Sequence, residues 1–255
     1  MAEPVEFTRD NGVLEIRLNR PEKKNALTVA MYAAMAEALT AAESDPSVRV
    51  VLFAGSGGVF SAGNDLNDFI AQPPTGPDAP VIRFLRAVSA LSKVVVAAVE
   101  GPAIGIGTTL LLHCDLVVAG KGARFAVPFV NLGLVPEAAS SLLLPRLIGH
   151  HRAAELFLLG ETFDAAAAHG FGLVNRLVED AVVLDTARGL ARQVAGKAPN
   201  AVRMIKKLMK SPSATVAERM LEEAHDFGAQ LKSAELREAV TAFFEKRPPD
   251  FAKLA

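Results

Sequence analysis

A single carboxylate, Glu137, sits in LGLVPEAASSLLLPRLIG (residues 132–149), a run otherwise almost free of charge. An acid among apolar neighbours is suited to proton abstraction, because lost hydration favours its neutral form and moves its pKa toward the range where a base works well. The same acid has an ordinary reading. Pro136 at the first helical position, with a carboxylate in the first turn, complements the exposed N–H groups and the macrodipole of a helix that follows. Two glycine-bearing loops offer the other half of a reaction site. FSAGNDL (residues 60–66) and GPAIGIG (residues 101–107) each follow a Val-rich run and lead into helical sequence. Glycine lets another group approach the backbone closely, and a helix start leaves N–H groups unpartnered. Brought together, two such loops give two donors to one developing oxyanion. Either loop alone is more often a structural turn.

Other chemistries lack their residues. His113, His150, His151, His169 and His225 form no HExxH and find no paired cysteines, so no metal site is expected. There is no GxSxG elbow, and GIGTT lacks the spacing of a phosphate-binding loop. Asp65 and Asp115 read as loop and helix-end acids. Lys206, Lys207 and Lys210 in MIKKLMK read as the wet face of a helix. Cys114, the one cysteine, reads as a small buried hydrophobe.

The elements that must position these groups follow from periodicity. Alternating runs around Asp10-Asn11-Gly12 predict a β-hairpin. Thr28 is placed to cap a helix through about Ala42, with Met31, Met35 and Leu39 on one face. VRVVLFAG, VVVAAVEG, and then DLVVAG with RFAV are short apolar strands, each followed by a loop and helical sequence. This alternation predicts an α/β architecture whose sheet is covered on both faces. AQPPTGPDAP (residues 71–80) is a proline-rich loop. From about Val182 onward the patterns are helical, with one long stretch expected over 215–246.

The chain has 255 residues, 51% hydrophobic and 22% charged, which is a globular composition. Lys+Arg 27 against Asp+Glu 28 argues against a nucleic-acid binder, which shows a basic excess. No apolar run reaches the length of a membrane span. The N-terminus lacks a signal-peptide core, and the C-terminal AKLA is not a peroxisomal address. With a lone cysteine, a cytoplasmic protein is expected.

Taken in order and spacing, FSAGNDL, GPAIGIGTTLLLHCDLVVA and NLGLVPEAASSLLLPRLIG, with NRPEKKNAL near the start and TAFFEKR near the end, resemble the crotonase, or enoyl-CoA hydratase/isomerase, superfamily. The resemblance covers essentially the whole chain. It implies a spiral core of ββα units over residues 1–200, a C-terminal helical trimerisation region over 201–255, and acyl-CoA thioester chemistry without a metal or separate cofactor. It also implies a homotrimer or dimer of trimers. By the same resemblance, Ala62 and Ile106 donate backbone N–H groups to the thioester oxygen. Ser61, Ala62, Gly63, Asn64, Asp65 and Leu66 contact the CoA moiety. Lys23, Lys24, Phe251 and Lys253 are placed toward its nucleotide end, the last two reaching a neighbouring subunit.

The acids separate the reactions of that superfamily. Its hydratases use two glutamates, and the matching positions here are Thr109 and Phe129. Neither can activate water at neutral pH. Glu137 instead matches the single base of the branch that moves a 3-double bond to the 2-position, and burial among Val135, Ala138 and Phe129 is expected to raise its pKa. Ring-modifying acyl-CoA isomerases of aromatic degradation are the nearest alternative, and an atypical hydratase is the third. A further alternative, RNA binding through MIKKLMK, is opposed by the balanced charge and the lack of interleaved aromatics.

Overall fold

Asn11 and Gly12, both at positive φ (48° and 79°), turn β1 (Val5–Asp10) into β2 (Val13–Leu18) as an antiparallel pair, the hairpin expected from the sequence. This computed structural model describes residues 3–73, 75–212 and 215–254. Thr28 caps α1 (Val29–Ser44) by accepting a hydrogen bond from the Met31 amide. After α1 come β3 (Val50–Gly55), α2 (Leu66–Ala71), α3 (Pro80–Ala90), β4 (Val94–Val99), β5 (Pro102–Ile104), α4 (Ile106–Thr109), β6 (Leu116–Gly120) and β7 (Arg124–Ala126). The chain continues through α5 (Ser140–Ile148), α6 (His150–Leu159), β8 (Thr162–Asp164), α7 (Ala165–Gly170), β9 (Arg176–Val178), α8 (Val183–Ala195), α9 (Pro199–Lys210), α10 (Val216–Gln230) and α11 (Ala234–Phe244). The proline-rich loop links α2 to α3, with Pro74 outside the described residues.

Six strands form the main sheet in the order β1-β2-β3-β4-β6-β9, parallel beyond the first hairpin. DLVVAG and RFAV belong to different sheets, because β7 leaves β6 to pair with β5 and β8. Val/Ala/Leu-rich strands suit this arrangement, since both faces of the sheet are covered. Val50, Leu52, Ala54, Val94, Val96 and Val118 meet α8 on one side. Val51, Phe53, Val95 and Ala97 meet α1 and α3 on the other, through Met31, Tyr32, Met35, Phe84 and Val88. The period of two along each strand divides the two layers.

The C-terminal helices correct two expectations. The stretch over 215–246 breaks at 231–233, where Ser233 caps α11 separately from α10. Lys206 is not on a wet face: α9 carries it under the sheet, where its Nζ donates to the Lys93 carbonyl (2.6 Å) and to Asp115 (2.8 Å). Asp115 in turn accepts the Val95 amide (2.8 Å), so the acid joins α9 to β4. Residue 200 falls in the first turn of α9. Among the described residues no helix is long and apolar enough to cross a membrane.

Candidate active site

The two glycine loops leave the same end of the parallel sheet and run side by side. The Ser61 amide donates to Pro102 (3.0 Å), and the Ile104 amide donates back to Ser61 (2.9 Å). Contact is close enough to require glycine. A Cβ on Gly107 would lie 2.9 Å from the Ser61 carbonyl oxygen, and one on Gly63 would lie 3.0 Å from that of Ile104. Gly63 also has φ +95°, a conformation that side chains disfavour.

Tracing each amide from Ser61 to Asp65 corrects the expected donor. The Ala62 N–H is taken by the Lys24 carbonyl (2.9 Å), Gly63 by the Ser61 hydroxyl (3.1 Å), and Asp65 by the Leu27 carbonyl (2.8 Å). Among the described residues only Asn64 in this run keeps its N–H without a partner. Ala62 fails as a donor because the preceding loop, held by Asn25, places the Lys24 carbonyl beneath it. On the second loop Gly105 donates to Ala126 (2.9 Å), and Ile106, the first residue of α4, has no partner for its N–H among the described residues. A helix start always leaves such donors, so the geometry supplies one free amide from each loop.

Glu137 does not sit in the first helical turn. It lies in irregular chain, at the head of the turn that precedes α5, which begins at Ser140, so Pro136 is not its first residue. The cause is two successive alanines in the left-handed region, Ala138 and Ala139, both at φ 54°. They turn the chain so that the acid points inward rather than along the helix. The Ser140 amide (2.9 Å) and hydroxyl (2.6 Å) both donate to the Glu137 carbonyl, and His113 Nε2 donates to that of Ala138 (2.8 Å). His113 is thus a buried brace for this turn, and burial holds its pKa below the ordinary histidine value.

The Glu137 carboxylate accepts a hydrogen bond on Oε1 from the Thr109 hydroxyl. Burial pushes its pKa above the ordinary carboxylate value, while the Thr109 bond pulls the other way. Val135 takes no part in that burial, being 79% exposed, whereas Phe129 and Ala138 are buried. Tyr32, the one tyrosine, faces the same place from α1. Its hydroxyl donates to Asn64 Oδ1 (2.6 Å), and burial together with the Glu137 charge keeps the phenol protonated far above its usual range. Tyr32 also floors an adjoining cleft of about 230 Å³ lined by Leu27, Val29, Phe69, Pro73 and Val81.

The structure therefore brings Glu137, Ile106 and Asn64 together, with Thr109 and Tyr32 between them. Sequence reading set Thr109 aside as a lost acid and did not single out Tyr32, although its place beside Met31 on the buried face of α1 marked it as core. Asp65 is engaged structurally: it caps α2 through the Asp68 amide and meets Arg20 at 3.2 Å. Lys24 is exposed near the first loop, and Leu66 is exposed at the start of α2. Phe251 and Lys253 are not brought to the site within one chain. Phe251 packs by Arg49, which bonds its carbonyl (2.8 Å) before the first residue of β3, at the opposite end of the sheet from the glycine loops. Lys253 pairs with Asp250 (2.9 Å). Cys114 is half-buried, and burial pushes its thiol up to about 12, which leaves it inert. Among the described residues no cluster of metal-ligating side chains occurs.

Two close-packed glycine loops with a free amide on each and one facing acid have the groups needed to hold a carbonyl oxygen and to move a proton beside it. A family model described as enoyl-CoA hydratase/isomerase matches residues 8–253. The chain is 39% identical over 252 residues to 1,2-epoxyphenylacetyl-CoA isomerase of Escherichia coli (strain K12), covering 95% of each. It is 34% identical over 247 residues to 2,3-dehydroadipyl-CoA hydratase of the same organism, covering 96% of each. A solved structure from Magnetospirillum magneticum AMB-1 superposes with a TM-score of 0.95 at 49% identity, over 98% of this chain and 99% of the other. The OdaA structure from Pseudomonas aeruginosa gives a TM-score of 0.80 at 50% identity, over 95% and 99%. The protein belongs to the enoyl-CoA hydratase/isomerase family and has the crotonase fold. It is an enzyme of that family, which an acyl-CoA substrate fits.

Proposed function

We propose that this enzyme moves the double bond of a 3-enoyl-CoA into conjugation as the 2-enoyl-CoA. Glu137 takes a proton from C2. The electrons of that C–H bond spread into a dienolate whose charge gathers on the thioester oxygen, held by the Asn64 and Ile106 amides. Each such donor contributes about 3–4 kcal/mol in comparable sites. The proton then returns at C4, the π bond comes to rest between C2 and C3, and Glu137 is again a carboxylate. The observation that carries this reading is the hydrogen bond between Thr109 and Glu137. At the position where the hydratases of the superfamily carry a second acid, the chain has a hydroxyl bonded to Glu137.

One relative favours a second reading within the same machinery. The 39% identical protein is named for an isomerase acting on a ring-epoxide CoA ester. A single base and an oxyanion pair serve either substrate, so product analysis separates them. The purified enzyme is given a 3-enoyl-CoA, 1,2-epoxyphenylacetyl-CoA and a 2-enoyl-CoA in turn. The proposal expects an unchanged mass with the appearance of conjugated-thioester absorbance from the first. Turnover of the epoxide alone would replace it with the ring reading, and addition of water to the third would make the enzyme a hydratase.

The α10–α11 face, with Phe243 and Phe244 each 77% exposed, supports association of copies into a trimer or dimer of trimers. Light scattering is expected to return three or six chain masses, and a monomer at micromolar concentration would exclude it.

A further inference from the structure

The hydroxyl of Thr109 is fully buried, at 0% exposure, and its one proton is committed to Glu137 Oε1. Thr109 closes α4, the four-residue helix whose first residue, Ile106, presents the free amide. Base and oxyanion donor are therefore tied to one rigid turn of backbone, three residues apart. We infer that Thr109 is a positioning residue: by holding Oε1 it fixes the Glu137 rotamer and its distance from the Ile106 amide, and it leaves Oε2 as the oxygen that exchanges the proton. This rests on Glu137 being the base of the proposed reaction.

The physical reasons are geometric. A carboxylate on a two-carbon stem has several staggered rotamers, and the left-handed pair at 138–139 fixes only its backbone. The remaining side-chain freedom has to be removed from outside. Tyr32, the titratable group facing Glu137 from α1, spends its proton on Asn64 instead, and His113 spends its Nε2 proton on the Ala138 carbonyl. Among these neighbours Thr109 alone reaches the carboxylate. A hydroxyl suits this task because it orients the acid without competing for the proton being moved.

The test compares Thr109→Val, nearly isosteric, with Thr109→Ser, which restores the hydroxyl. Loss of orientation is expected to lower kcat by about 10- to 100-fold, since misplacing a catalytic group by about 1 Å has effects of that size. KM for the CoA ester should stay within about twofold, because the glycine loops that bind it are untouched. Serine should recover most of kcat. In the valine chain the acidic limb of the kcat/KM profile should move to higher pH, since a hydrogen bond that favours the carboxylate has gone. A full kcat with an unmoved limb in valine, or a serine chain as slow as valine, would overturn the inference. Should the valine chain not fold, alanine replaces it in the same comparison. A second readout does not depend on the reaction. Carboxyl NMR of 13C-labelled glutamate should show Glu137 titrating at higher pH in the valine chain than in wild type. If the wild type turns over no 3-enoyl-CoA yet this titration moves, the proposed reaction fails and the Thr109 contact stands; an unmoved titration removes the contact whatever the substrate.

Discussion

Glu137→Gln is expected to abolish conversion of 3-enoyl-CoA, with a loss of two to four powers of ten in kcat (~10²–10⁴-fold) and CoA-ester affinity retained. Glutamine keeps the size of the side chain and a carbonyl that can accept from Thr109, so the site keeps its shape while losing the group that carries the proton. The same substitution should also stabilise the fold. Burial raises the folded pKa of Glu137 above its unfolded value, so the folded state holds the proton more tightly and the ionised form is the one that costs stability. Below the ordinary carboxylate range both states are protonated and the two chains should melt alike. As pH rises through the unfolded and then the folded value, a gap in favour of glutamine opens, and it persists above. Kinetics together with melts at low and neutral pH test both halves. Turnover near the wild-type rate would end the single-base mechanism, and a glutamine chain that melts lower at neutral pH would refute the cost assigned to the buried charge.

Asp115→Ala should produce the largest loss of stability. Asp115 and Lys206 face each other with side chains 10% and 4% exposed, and the acid also holds the Val95 amide. Removing Asp115 leaves the Lys206 charge buried with no counter-charge and only the Lys93 carbonyl as acceptor, and breaking a buried pair in this way costs about 3–5 kcal/mol. Burial already holds the Lys206 pKa below the ordinary lysine value, so without its partner the amine must shed its proton or draw water under the sheet. The double change Asp115→Ala with Lys206→Met should recover much of the loss, because an apolar chain then fills the same space. Denaturant unfolding of the single and double variants checks this. A single variant within about 1 kcal/mol of wild type would show that the pair behaves like a surface ion pair.

Much of the architecture was legible because it is written in short periods. The hairpin follows from Asn11-Gly12, the start of α1 from Thr28, and the two-sided sheet from strands apolar at consecutive positions. The acid at 137 stood out by its isolation in an apolar run, but only the resemblance singled it out as a base, and the structure adds its burial and its Thr109 contact. What escaped depended on partners distant in the chain. Ala62 was the wrong donor because its amide is taken by a carbonyl 38 residues earlier, Lys24. Lys206 looked solvated because MIKKLMK is amphipathic by pattern, and nothing local reveals that Asp115 waits 91 positions away. The helix start at 137 failed because backbone handedness at two alanines is set by the packing of His113 and Ser140, not by alanine itself, which favours a right-handed helix.

Those two alanines carry a consequence for how activity can be lost. Each sits where a methyl costs on the order of 1–2 kcal/mol, so local preference pulls the segment toward extending α5 by a turn, which would swing the acid out of the cavity. The opposing pull comes from a histidine ring and a serine rooted in the interior. Any distant lesion that slackens this grip, a cavity beneath the ring or partial thermal softening, should therefore quench turnover while secondary structure and melting still look sound. Enzymatic rate then serves as the earliest gauge of the protein's internal tightness.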